Sequence, residues 1–313
     1  MIQRRTVGIV GTGNVGVAAA YALFLRRLAS DIVLIDKDPR RAEGEAMDLM
    51  HGQSLVGRVT VRAGTYEDLA DAQLVLISAG VAQKPGETRL DLLNRNADVF
   101  REIAEQLDRH APEAILVIAT NPVDILTWVM QELSSRPDTR VIGTGTMLDT
   151  ARFRALLGQH YGVDPRSVHA YILGEHGDSE VPLWSSASIG GQPILDRTVL
   201  GKTWNPAEMD SLFDRVRRAA YAIIDRKGYT NLAIGVVLAQ LVDAILGDQK
   251  SVLPVSVRLD GEYGIGNVCL SIPCVIGIEG VEGRVLPGVD ARELSGLMHS
   301  AEVLRERMVG IRV

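Results

Sequence analysis

The sequence predicts an α/β chain: a doubly wound parallel sheet over residues 1–143, then an α+β half over residues 144–313. Three observations predict it. Short apolar runs alternate with helical patterns through the first half, as crossover-connected parallel strands require. A glycine-rich turn, Gly11-Thr-Gly13-Asn-Val-Gly16, follows the first such run directly. After about Gly143 the alternation gives way to a long helical region and then to long β-rich stretches. A chain of 313 residues favours two domains and can bury a core without disulfides or structural metal.

Val7 to Val10 reads as the first strand and Val15 to Leu28 as an Ala-rich helix. Ile32 to Ile35 is the second strand. Asp38 and Pro39 then supply an N-cap and first helical residue, since Asp accepts from free N–H groups and Pro has none to satisfy. Val59 to Ala63 and Leu74 to Ala79 continue the sheet. The stretch from Ala79 to Leu90 has no period and carries Gly80, Lys84, Pro85, Gly86 and Glu87, so it reads as an exposed loop and a candidate lid. Leu93, Ala97, Phe100, Ala104 and Leu107 share one face of a helix over Leu92 to Leu107. Ala114 to Ile118 is another buried strand, and Pro122 opens the next helix. In the second half Asp149 to His160 is helical and Val168 to Leu173 strand-like. Ala207 to Leu246 is helical with an interruption near Gly228. Val252 to Leu259 and Val268 to Ile278 are strands around a turn containing Gly261 and Gly264. A last helix starts at Asp290, with Glu293 as its capping-box partner.

The formal net charge is −6, with 46 % hydrophobic and 23 % charged residues, which gives no general pull toward nucleic acid or an anionic membrane. Any anionic ligand must therefore meet a local basic cluster. Arg4 and Arg5 precede an uncharged run from Thr6 to Leu25 that superficially resembles a secretory signal. Gly11, Gly13, Asn14 and Gly16 break that run with turn chemistry, so neither a signal nor a membrane partner is expected. The two cysteines, Cys269 and Cys274, suit a reducing compartment and read as buried thiols, not as metal ligands. A cytoplasmic protein without a metal is the expectation.

In a turn of this kind the first Gly permits the tight bend, the second lets the backbone approach a pyrophosphate, and the third lets helix and strand pack closely. Free N–H groups and the positive end of the helix dipole then face the phosphates. Asp36 ends the second strand 20 residues after Gly16, where a carboxylate accepts from a ribose hydroxyl and repels a 2′-phosphate. These features predict a Rossmann domain that binds NAD in preference to NADP. The alternative is an ordinary glycine turn with Asp36 capping the next helix.

Hydride transfer to a 2-oxo acid needs a cation for the carboxylate, an acid for the developing alkoxide and a group that polarises the carbonyl. Arg152, His176 and Arg89 are the candidates, and Asp149 is suited to orient His176 and stabilise its charged form. Taken singly, Asp149 and Arg152 also fit an i, i+3 pair on a helix surface, and His176 a loop histidine held by backbone.

Asp149-Thr-Ala-Arg152-Phe-Arg154 and Gly174-Glu-His176-Gly-Asp178-Ser resemble signature segments of the lactate and malate dehydrogenase superfamily. So do Gln83-Lys-Pro-Gly-Glu-Thr-Arg89 and Ala119-Thr-Asn121-Pro-Val-Asp, and the likeness runs from the first strand to the last helix. The resemblance implies that His176 gives and takes the proton, that Asp149 orients it and that Arg152 clamps the substrate carboxylate. It makes Arg89 the carbonyl polariser carried by a closing loop. Asn121 would contact the substrate oxygen and the cofactor, and Thr230 would line the pocket. Val15, Arg41, Tyr66, Gly80, Val81 and Thr144 match positions around the cofactor.

Malate enzymes of this superfamily place Arg where Gln83 stands, pairing it with the second carboxylate of oxaloacetate. Gln forms no such ion pair, and Glu87 adds negative charge to the same loop, so pyruvate and L-lactate are the expected substrates. The alternatives are a lactate-like malate enzyme and a non-catalytic NAD-binding protein on the same scaffold. Around Thr230, Gly-Tyr-Thr-Asn-Leu-Ala departs from the Gly-Ala-Thr-Tyr-Tyr-Gly common in bacterial members. The short segment before the first strand also resembles bacterial members. The resemblance further implies a homo-oligomer, expected to be a tetramer with the effector reading of Arg154 and His169. Arg154 and His169 match the positions at which allosteric bacterial members bind fructose bisphosphate. The competing account is a surface Arg and a strand-end His without a joint role.

Overall fold

The computed structural model describes residues 5–82, 84 and 86–313. Among them, the main sheet contains β1 (Thr6–Val10), β2 (Asp31–Ile35), β3 (Thr60–Ala63), β4 (Leu74–Ile77), β5 (Ile115–Ile118), β6 (Val141–Gly143), β7 (Ser251–Asp260), β8 (Gly266–Gly277) and β9 (Gly280–Arg284). The helices are α1 (Asn14–Arg26), α2 (Pro39–His51), α3 (Gln53–Val56), α4 (Arg89–His110), α5 (Val123–Leu133), α6 (Met147–Tyr161), α7 (Pro206–Arg217), α8 (Ala219–Lys227), α9 (Leu232–Leu246) and α10 (Ala291–Met308).

Strands β1 to β6 are parallel in the order 3-2-1-4-5-6. The order reverses between β1 and β4, and a crevice opens there at the carboxyl ends of the strands. β1, β2, β4 and β5 are buried throughout, because helices cover both faces of the sheet. That is why these strands read as unbroken apolar runs without alternation.

The second half does not build a separate main sheet. β7 joins the edge of β6 through an antiparallel pairing of Ser256 with Gly143, and β8 and β9 extend the sheet beyond it. Helix α9 packs along α1 so closely that a Cβ at Gly235 would lie 2.7 Å from the Ala18 carbonyl oxygen. A smaller core gathers Phe153, Leu157 and Tyr161 of α6 with Val168, Ile172, Met209, Leu212 and Val216. Trp184 meets Phe153 edge-on at 4.8 Å and Trp204 at 5.1 Å, which anchors the helix that carries Asp149 and Arg152.

Three expected elements differ. The strand over Val168 to Leu173 is two dipeptides with separate partners, Val168–His169 against Ser188–Ile189 and Ile172–Leu173 against Val181–Pro182. Between them the Ala170 carbonyl is taken by Arg154 Nε. The helical region from Ala207 is three helices, broken at Arg218 and again at Gly228, where φ is 87°. Helix α4 begins at Arg89 instead of Leu92, because Thr88 and Asp91 cap each other reciprocally.

Cys269 and Cys274 are both buried and free. Among the described residues no helix is long and apolar enough to cross a membrane. Nor do those residues place three His, Cys, Asp or Glu side chains together to hold a metal ion.

Candidate active site

The glycine turn leaves β1 and enters α1. Gly11 has φ 98°, which glycine adopts without strain, and a Cβ there would lie 2.5 Å from the Ala79 nitrogen. A Cβ on Gly16 would overlap the Gly11 carbonyl oxygen. At Gly13, the N-cap of α1, a Cβ would meet no protein atom within 4 Å. The fold itself therefore demands glycine at 11 and 16 but not at 13. Open room before a helix N-terminus is what a pyrophosphate needs.

Asp36 stands beside this turn. Thr12 donates to its Oδ2 through N–H at 2.7 Å and Oγ1 at 2.8 Å, and the Asp38 N–H donates to Oδ1 at 3.1 Å. Burial works to raise the Asp36 pKa, but these hydrogen bonds and the Arg41 charge outweigh it and hold the carboxyl below its usual value. A fixed anion thus ends β2, and the residues present fit a dinucleotide with a free ribose 2′-hydroxyl.

The other positions matched to the cofactor each follow the carboxyl end of a parallel strand. Val15 packs on the core from α1, and Arg41 is exposed on α2. Tyr66 opens a short 3-10 turn after β3, and burial together with Glu102 pushes its pKa up to about 12. Past β4, a Cβ at Gly80 would lie 2.7 Å from the Thr120 methyl, and the Val81 N–H donates to Asn96 Oδ1 at 3.0 Å. Asn121 is exposed after β5 and accepts from the Val123 N–H at 3.3 Å. Thr144 is buried after β6 and donates its N–H to the Ile118 carbonyl at 2.9 Å.

Asp149 and Arg152 lie one turn apart on α6, and the segment 174–179 brings His176 to them. His176 Nδ1 meets Asp149 Oδ2 at 2.5 Å, and Arg152 Nη1 meets Asp149 Oδ1 at 3.0 Å. The i, i+3 pair is real but not a surface pair, since the Asp149 side chain is only 4 % exposed. Burial works against charge on Asp149 and on His176. Their mutual attraction prevails, holding Asp149 below its usual value and pushing His176 up to about 9. With Nδ1 facing the carboxylate, Nε2 is left to face a reactant.

Longer-range contacts fix the turn. The His176 N–H donates to Asp124 Oδ2 at 2.7 Å, while Asp124 Oδ1 accepts from Ser256 Oγ at 2.5 Å. Burial pushes Asp124 up to about 6. On α10, Ser300 Oγ accepts from the Glu175 N–H at 2.7 Å and donates to the Ser179 carbonyl at 3.1 Å, so one hydroxyl ties both ends of the turn. Arg307 pairs with Glu175 from the same helix. Sequence reasoning missed Asp124 and Ser300 in these roles. Asp124 stands in the quoted segment after Asn121, but its partner His176 is 52 positions away.

Arg89 is exposed as the first residue of α4. Its charge acts on the Tyr221 hydroxyl, which donates to Asp178 at 3.2 Å, so this end of the loop faces the catalytic turn. Thr230 is half-buried in the link between α8 and α9. No hydrogen bond among the described residues joins Arg89, Asn121 or Thr230 to His176. Gln83 lies outside the described residues. Arg154 Nε donates to the Ala170 carbonyl at 2.9 Å with its guanidinium over the Tyr171 ring at 4.9 Å, and His169 is exposed on its short strand.

Comparison with known proteins covers both halves. The family described as lactate/malate dehydrogenase, NAD binding domain, matches residues 5–143, and its alpha/beta C-terminal domain matches residues 146–311. The chain is 66 % identical to an L-lactate dehydrogenase of Salinibacter ruber, over 100 % of this chain and 99 % of that one. It is 49 % identical to one of Thermus aquaticus, over 96 % and 97 % of the two chains. The crystal structure of a minor L-lactate dehydrogenase from Enterococcus mundtii superposes with a TM-score of 0.96 at 43 % identity, covering 99 % of each chain. A glycine turn with an ionised Asp36, and a partly buried group of His176, Asp149 and Arg152, thus stand in a chain matched from end to end. The chain belongs to the lactate/malate dehydrogenase family.

Proposed function

We propose that the protein is an NAD-dependent L-lactate dehydrogenase, interconverting pyruvate and (S)-lactate. The observation that carries this reading is the contact of His176 with the buried Asp149, whose other oxygen is held by Arg152. When bound, NADH supplies the hydride. The Arg152 guanidinium holds the substrate carboxylate in a bidentate grip. Arg89, at the start of α4, polarises the carbonyl, and Asn121 contacts its oxygen. His176 Nε2 gives its proton to that oxygen as the alkoxide develops, and Asp149 stabilises the imidazolium beforehand and keeps the ring in place. In lactate oxidation the neutral imidazole takes the proton back. Thr230 lines the space for the substrate methyl, and Gln at position 83 carries no cation for a second carboxylate. The junction between the cofactor-binding and substrate halves is placed at 143/144. Following NADH absorbance with pyruvate and with oxaloacetate tests the reading. Preference for oxaloacetate would assign a malate enzyme, and no turnover of either would leave a non-catalytic binding protein.

The cofactor choice is tested separately by binding. NADH binds more tightly than NADPH because the Asp36 carboxylate repels the 2′-phosphate, and Asp36→Ser narrows that gap by about tenfold, or about 1.4 kcal/mol. Fluorescence titration of both dinucleotides measures it. Equal affinities in the unmodified protein would remove Asp36 from this role.

The assembly we propose is a cytoplasmic homotetramer of the glycolytic, pyruvate-fermenting type. Tyr21 and Leu25 on α1, and Leu232 and Val236 on the adjacent α9, are at least half exposed, and apolar side chains at i, i+4 on neighbouring helices support an interface between copies. For Arg154 and His169 we propose a fructose bisphosphate site. A surface cavity of about 200 Å³ is lined in part by Arg154, and by Arg166, which pairs with Asp164, but not by His169, so its support for an anionic effector rests on Arg154. Pyruvate affinity or tetramer content should rise with the sugar bisphosphate. Pyruvate saturation and sedimentation with and without it check this, and identical curves would leave the pair structural.

A further inference from the structure

One buried carboxyl near His176 has no role in this scheme. Glu180 lies four residues after His176, just before the short strand Val181–Pro182, and is 6 % exposed. Among the described residues its Oε1 has no hydrogen-bond partner. A carboxylate in that position would hold a charge out of water with one oxygen unsatisfied, whereas a protonated acid has no charge to solvate. The charged groups acting on it come from three elements: Asp149 and Arg152 on α6, His176 on the catalytic turn, and Arg217 on α7. Both arginines are already engaged, Arg152 with Asp149 at 3.0 Å and Arg217 with Asp214 at 2.5 Å. Asp124 faces His176 from the other side.

We propose that Glu180 is a positioning residue that keeps its proton in the working enzyme, and that its ionisation closes the site to the substrate carboxylate at alkaline pH. The proposal rests on the 2-oxo-acid reading of this site. Ionising Glu180 adds a buried negative charge that acts on the same groups, Arg152 and His176, that must receive the anionic substrate. Burial first, and then the Asp149 carboxylate, push Glu180 up to about 8, while His176, Arg152 and Arg217 draw it down. The Glu180 charge in turn helps to raise His176. Two ionisations therefore limit pyruvate reduction from the alkaline side. Glu180 acts first, through substrate binding, and His176 follows, through proton supply.

The test compares the unmodified protein with Glu180→Gln, which keeps the shape and removes the titration. The first readout is kcat/KM for pyruvate across the alkaline range. The second is the ring titration of His176 in the protein without added ligands, followed by NMR of ring-labelled histidine and assigned by its loss in His176→Asn. In the unmodified protein the logarithm of kcat/KM should fall with slope about −1 above Glu180's pKa and about −2 above that of His176, because two protons are then required. KM should rise before kcat falls. In Glu180→Gln only the slope of about −1 should remain, and the His176 midpoint should move down. Superimposable profiles with an unmoved His176 midpoint would overturn the proposal. Absence of pyruvate turnover in the unmodified protein would fail the reaction reading instead, and the NMR titration would still decide the role of Glu180.

Discussion

His176→Asn is expected to lower kcat for pyruvate reduction by about 10²-fold to 10⁴-fold, the range for loss of a positioned proton donor. Asn fills much of the same space and still meets Asp149, but it has no titratable proton for the alkoxide. NADH affinity should change little, because Gly11, Gly13, Gly16 and Asp36 lie on β1, β2 and α1, away from the catalytic turn. Steady-state kinetics with a separate NADH titration make the distinction, and a variant that kept most of its kcat would remove His176 from proton transfer. The same residue sets a pH sign. His176 is raised to about 9, so its charge is present below that value and is lost as pH rises through it. Pyruvate reduction should therefore fail on the alkaline side, while lactate oxidation, which needs the neutral ring, should improve toward it. The contribution of the charged pair to folding follows the same direction: complete below the unfolded histidine pKa of about 6.5, and lost through the folded value.

Asp149→Asn should be nearly as severe for a different reason. The burial that opposes a charged imidazole remains, while the carboxylate that overcomes it is gone. The His176 pKa should then fall to about 6.5 or below, leaving about a tenth or less of the ring protonated at pH 7.5. An Asn amide can also donate to Nδ1 and hold the wrong tautomer, a fault that by itself can cost about 10⁴-fold in kcat. Arg152 would lose its partner too, so pyruvate KM should rise alongside. The diagnostic result is a downward move of the alkaline limit of reduction by two units or more, read from the pH profile of kcat. A limit that stayed in place would show that Asp149 does not govern the charge of His176.

Much of this was legible in the sequence because it depends on short-range pattern. The turn from Gly11 to Gly16, the caps at Asp38 and Asp290, and the apolar strands of the parallel sheet are each written within a dozen residues, and the structure places them as read. The breaks in the region from Ala207 to Leu246 were less legible. Helix α8 has no buried residue, yet it contains Tyr221, Ile223 and Ile224, so its apolar pattern does not mark where the packed helices begin and end. The split of Val168 to Leu173 was invisible for a related reason, because it depends on strands contributed by other segments. The quoted segments name Asp149, Arg152 and His176, but nothing local to them says that one carboxylate sits between two cations. Nor does anything around Ser300 announce that its hydroxyl would hold a turn 125 positions earlier in the chain. Residues whose work is to support others are written only in the tertiary contacts.

The single pairing of Ser256 with Gly143 makes the main sheet continuous from β3 to β9. A sheet that crosses the seam resists bending there as a beam resists it. The same Ser256 also donates to Asp124, which holds the backbone of His176, so a hinge rotation of one half against the other would pull directly on His176. Helix α8, which has no buried residue, lies outside that stiff frame. The stiffness has a use. It keeps the glycine turn after β1 and the turn that carries His176 at a constant spacing, so ligand binding need not rebuild that geometry.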